Sequence, residues 1–209
     1  SAFTFDDDGP TLTVTAAVSG TEAAALAVEL DETEGTDRYN TTETADGGNT
    51  DGDNPGLGRA TTTVTGGLVN LFAALGGDYG SDGEGTTTGS FSFAGFPLSG
   101  ELATTLSATD GGAITLVRTS ATLLTGEDTD GHTVFTIEIV DVGGGVYQLQ
   151  TTLYEALNHG DNENPDLFDE TVELLLAADG AVQLQYEVTR TDADGDSVTK
   201  SDTVDLITE

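Results

Sequence analysis

The chain contains no cysteine, no methionine and no tryptophan. Without cysteine there are no disulfides, no zinc–thiolate sites and no cysteine-based catalysis. The core must instead be filled by Leu, Val, Ile, Phe and Ala. Positive charge is nearly missing as well: Lys and Arg number 5 against 38 Asp and Glu, and the formal net charge is −33, with Lys200 the single lysine. Such a chain repels nucleic acid and anionic membrane surfaces, so neither is expected as a partner. No apolar run approaches the roughly 20 residues that span a bilayer, so no membrane insertion is expected. A secretory leader is not seen either, and Ser1–Pro10 reads as the interior of a longer protein. Catalytic signatures are equally scarce. The only histidines, His132 and His159, lack the H-E-x-x-H spacing of zinc proteases, and there is no G-x-S-x-G. Paired acids occur in any chain this acidic, but 5 Tyr and no Trp leave few aromatic platforms for a sugar. No enzyme is expected.

What is present is alternation with period two, rich in Thr and Val. It predicts strands at Thr11–Thr15, Thr61–Thr65, Phe91–Phe93, Ala113–Arg118, Thr133–Val140, Val146–Leu153, Val172–Leu176, Ala181–Thr189 and Ser197–Ile207. Asp-Gly pairs punctuate them, at Asp82-Gly83, Asp110-Gly111, Asp130-Gly131, Asp179-Gly180 and Asp194-Gly195 among others, and they supply the positive φ of tight hairpins. Two hairpins follow: Val172–Ala178 with Ala181–Thr189, and Ala181–Thr191 with Ser197–Ile207. Helix is confined to Leu68–Leu75, with Ala23–Leu30 ambiguous, and Asp31–Gly58 reads as one long polar loop. With 209 residues, 36% of them hydrophobic, the expectation is an all-β fold. It is a single antiparallel β-sandwich, immunoglobulin-like or related, over residues 11–209, with residues 1–10 as a linker.

The surplus of acid needs an answer, from salt, a cationic partner or bound divalent ions. Calcium takes six to eight oxygen ligands, and converging carboxylates and backbone carbonyls supply them. The sharpest candidate is Asp192-Ala193-Asp194-Gly195-Asp196, whose three carboxylates alternate around a glycine. It resembles the opening of an EF-hand loop, but the twelfth position is Thr203 rather than Glu. Asp6, Asp7 and Asp8 before Gly9-Pro10 form a second candidate. Asp51 with Asp53, and Asp161 with Asp166 beside His159, form two more. Each has an ordinary alternative as a solvated turn or linker. The glycine-rich nonapeptide of calcium β-rolls is not matched, because Tyr79 stands where Gly76-Gly77-Asp78-Tyr79-Gly80 would need its third glycine.

Taken in order, several segments are similar to one unit of the repeat of giant RTX adhesins, bacterial surface proteins exported by type I secretion. They are Asp7-Asp8-Gly9-Pro10, Asp78-Tyr79-Gly80-Ser81-Asp82-Gly83, Thr109–Leu116, Val134–Ile137, Tyr154–His159, Asn164-Pro165-Asp166 and Val188–Ser197. The resemblance implies an extracellular, calcium-stiffened spacer in a tandem array, monomeric in isolation, with neighbouring modules as its partners. Cell-surface glycan or protein would be reached through the parent adhesin. The alternative role is a glycan- or peptide-binding module working through Asp31–Gly58 or Asp161–Asp166. Simple salt adaptation is a third reading.

Overall fold

Alternating burial organises the chain into nine strands among the residues described by the computed structural model, which are 8–28, 58–73, 75–108, 111–155, 157–158 and 181–206. They are β1 (Gly58–Thr61), β2 (Thr86–Ala94), β3 (Glu101–Ala108), β4 (Gly112–Arg118), β5 (Leu123–Glu127), β6 (Thr133–Asp141), β7 (Tyr147–Leu153), β8 (Gln183–Thr191) and β9 (Ser197–Asp205). One sheet has the order β1-β7-β6-β5-β4-β3 and the other β2-β8-β9, and every pairing is antiparallel. The protein is thus an all-β sandwich. The larger sheet is a meander from β3 to β7, with β1 added to the β7 edge.

The two sheets share one apolar core. Leu116, Leu124, Val134 and Leu153 enter it from the large sheet, and Phe93, Leu184 and Val188 from the small one. Two loop residues, Leu68 and Leu71, are fully buried beside them. Gly126 permits close packing on the large sheet, because a Cβ there would collide with the Phe135 ring. The core therefore closes with aliphatic and aromatic side chains alone, as the missing cysteine and methionine require.

The N-terminal segment forms no continuous strand where Thr11–Thr15 was expected to. It makes isolated bridges, Thr13 with Gly76 and Ala16 with Phe72, and buries Leu12 and Val14 in the core. The described helical segments are short. Leu68–Leu71 is one 3₁₀ turn, stopped where Phe72 turns extended. The helix α1 (Gly20–Ala25) opens on a capping box between Ser19 and Glu22. None of the described helices is long and apolar enough to cross a membrane.

The hairpin of Ala181–Thr191 with Ser197–Ile207 forms as β8–β9. The other expected hairpin partner, Val172–Ala178, lies outside the described residues. Strand β8 is flanked along its length by β2 and β9. One outer strand of this sheet, β2, thus comes from far back in the sequence. Strands β3 and β5 were not anticipated. The first is made mostly of Ala, Thr and Ser, and the second has only five residues.

Candidate metal centre

The centre grows out of the alternation in β8. Val182, Leu184, Tyr186 and Val188 are buried, each two residues after the last. The next two positions on that face are Arg190 and Asp192, only 7% and 4% exposed. A buried charge is costly unless hydrogen bonds or an opposite charge compensate it.

Arg190 is compensated. Its Nη1 donates to the carbonyls of Thr11 (2.8 Å) and Gly76 (3.2 Å), and its Nε to Thr87 Oγ1 (3.3 Å). The guanidinium also lies over the Tyr79 ring, 5.1 Å from its centroid. This one side chain joins β8 to the N-terminal segment and to the loop that precedes β2.

Asp192 is only half compensated. Its Oδ1 accepts the N–H groups of Gly195 (3.0 Å) and Asp196 (2.8 Å), which shapes the β8–β9 turn around Gly195 at φ 110°. Its Oδ2 is buried and meets no donor. What approaches the carboxyl group instead is another carboxylate, that of Asp194, close enough for the pair to share a proton. Asp82 completes the group: one carboxylate oxygen from each of Asp82, Asp192 and Asp194 lies within 4.8 Å of the others. Asp82 and Asp194 are exposed, so the cluster opens to solvent on one side.

The titration behaviour follows from this geometry. The contact with Asp192 is the main cause that pushes the Asp194 carboxyl up, and repulsion from Asp192 and Asp82 adds to it. Burial works to raise Asp192, but the contact with Asp194 and the N–H donors of Gly195, Asp196 and Asp194 outweigh it and hold Asp192 below the usual range. A shared proton, or a cation, resolves such a contact.

Glycine brings the loop carrying Asp82 this close. A Cβ on Gly85 would collide with the carbonyl oxygens of Thr191 and Asp192. One on Gly80, at φ 76°, would collide with the Asp8 carbonyl. Ser81 Oγ donates to Asp8 Oδ2 (3.0 Å), and an added Cβ on Gly9 would sit 3.9 Å from the Asp196 side chain. Asp8 and Asp196 therefore belong to the segments that meet beside the loop carrying Asp82. The donors are all hard carboxylate oxygens, with no nitrogen or sulfur ligand among them. Such a set could hold a hard metal cation.

Of the residues expected from sequence, Asp192 and Asp194 come together in the triad, while Asp196 and Asp8 stand beside it. Asp6, Asp7, Asp51, Asp53, Asp161 and Asp166 lie outside the described residues. Asp82 is not among the sequence candidates, since Asp82-Gly83 reads as ordinary turn chemistry. Only the fold carries it to Asp192. A second aspartate, Asp128, occupies a turn of the same build and was also passed over. It is 7% exposed and accepts the N–H groups of Asp130 (2.9 Å) and His132 (2.8 Å).

Residues 27–206 match a protein family described as a domain of unknown function (DUF5801). No curated protein and no solved structure matches the chain.

Proposed function

The chain belongs to the DUF5801 family, and from that premise we propose that it is a non-enzymatic structural module stabilised by calcium. The observation that carries this reading is the buried Asp192 Oδ2, which has no donor and stands in a triad with Asp82 and Asp194. A bound cation would compensate a carboxylate in this state. An ion there would link the β8–β9 turn to the loop before β2. Through Ser81 and Asp8 it would also steady the start of the sandwich. The ion acts on stability, because a ligand that binds only the folded state shifts the folding equilibrium by mass action.

The wider role follows from the resemblance to adhesin repeats. We place the module outside the cell, as a spacer in a bacterial surface adhesin that holds neighbouring modules in line. The acidity favours this setting, since extracellular calcium can neutralise carboxylates that would otherwise repel one another.

The direct test is calorimetric titration of calcium into chelator-stripped protein. Wild type should show saturable binding. Asp192→Asn keeps an acceptor for the turn amides but loses the charge, so it should abolish the event at this site. Identical isotherms for the two proteins would remove the Asp192 centre from the account.

A further inference from the structure

Two hairpins of the sandwich close on turns of one design, and they differ at a single decisive position. Asp128-Thr129-Asp130-Gly131-His132 joins β5 to β6, and Asp192-Ala193-Asp194-Gly195-Asp196 joins β8 to β9. In each, the first aspartate continues the inward face of the strand before it. Its N–H donates to the carbonyl of the fifth residue, over 3.0 Å in both turns. Its Oδ1 accepts the N–H of that fifth residue, over 2.8 Å in both. The glycine at the fourth position has positive φ in both, 83° at Gly131 and 110° at Gly195. Both aspartates are buried.

The second carboxylate oxygen is where the turns part. Asp128 Oδ2 lies 3.2 Å from Nδ1 of His132, the fifth residue. A carboxylate can only accept, so that nitrogen carries the proton. Gly111 covers the same oxygen so closely that a Cβ there would collide with it. Asp128 is thus satisfied from within its own turn. In the other turn the fifth residue is Asp196, and a carboxylate side chain is an acceptor where imidazole offers an N–H. Asp192 Oδ2 has no donor, and the Asp192 carboxyl group stands with those of Asp82 and Asp194. Among the described residues, only this second turn belongs to a group of three acids placed to share an ion.

We propose that the fifth residue selects how the turn is capped: histidine at 132 makes the β5–β6 turn self-sufficient, and aspartate at 196 makes the β8–β9 turn depend on a cation. Position 196 is therefore a specificity determinant, acting through the donor it withholds from Asp192. This inference rests on the calcium reading above and deepens it.

The test is Asp196→His, compared with wild type by calcium titration and by thermal melting with calcium or with chelator. The introduced imidazole should donate to Asp192 Oδ2. The stripped variant should then melt above stripped wild type, and calcium affinity should fall about tenfold or more, the order expected when a charged group leaves a calcium site. Nitrogen-15 spectra should show Nδ1 protonated and hydrogen-bonded in the introduced ring, a signature that a merely tolerated side chain would lack. The reciprocal His132→Ala should lower the melting temperature without any rescue by calcium. The proposal is overturned if Asp196→His binds calcium as wild type does, or if its imidazole shows no bonded proton. Absence of calcium binding in wild type would instead overturn the reading on which the proposal rests, while the imidazole signature would still report on self-capping.

Discussion

On the proposed calcium reading, Asp194 is the residue whose protonation and ion binding would compete most directly. Its carboxyl is pushed up, chiefly by its contact with Asp192. A raised acid stabilises the fold below its unfolded value, and that contribution is lost as pH rises through the raised folded value. In stripped protein at neutral pH, Asp194 is therefore a source of repulsion. Asp194→Asn should raise the melting temperature in chelator at pH 7, and the gain should shrink as pH falls through the raised folded value, where wild type takes up the proton. In saturating calcium the sign should reverse, because the variant has lost a ligand. Melting curves over that pH range, with and without calcium, check both halves. Asp128 shows the opposite sign. Burial works to raise it, but donors from His132 and Asp130 prevail and hold it below its ordinary 3.8. Its contribution is present above that unfolded value and is lost as pH falls through the lower folded one.

At the scale of elements, the site depends on how closely the loop before β2 lies against the end of β8. Gly85 makes that approach possible, since a side chain there meets the carbonyls of Thr191 and Asp192. Gly85→Ala should push Asp82 away from Asp192 and weaken calcium binding about tenfold, while removing no ligand. The accompanying destabilisation should be about 1–3 kcal/mol, typical of a forced backbone shift. Calcium titration and denaturant unfolding separate the two effects. Much at this scale was legible in the sequence. Thr133–Val140 and Ser197–Ile207 read as strands because their alternation is strong, and Asp194-Gly195 reads as a turn because glycine supplies the positive φ. The burial of Asp192 was not read from the sequence, where it stands in a turn with a solvated alternative; the structure shows the alternation of Val182, Leu184, Tyr186 and Val188 continuing through Arg190 to Asp192. The pairing of β8 was not legible. Alternation says which face is buried but not which strand lies alongside, so β2 could not be assigned from sequence. Asp82 was hidden for the same reason, being more than a hundred residues from Asp192. Strand β3 escaped notice because Ala, Thr and Ser give little contrast between its faces.

At the scale of the whole molecule, the question is what counters a net charge of −33. Two remedies make different predictions. Screening by salt acts on all exposed charges at once, over a Debye length of about 10 Å at 0.1 M. A bound cation acts at one place and saturates. The proposed reading takes the second, on the ground that, among the described residues, Asp192 is a buried carboxylate at the end of β8. Arg190 sits two residues away on the same face, yet it spends its donors on Thr11, Gly76 and Thr87, leaving Asp192 Oδ2 without one. An ion present at a hundred times its dissociation constant would add about 2.7 kcal/mol to folding. The most direct measurement is thermal unfolding of the wild-type chain in millimolar calcium and in chelator, at matched ionic strength, beside Asp192→Asn. The account predicts a melt that rises with calcium and saturates in wild type, with a much smaller rise in Asp192→Asn. A wild-type melt that responds to ionic strength but not to calcium would contradict it.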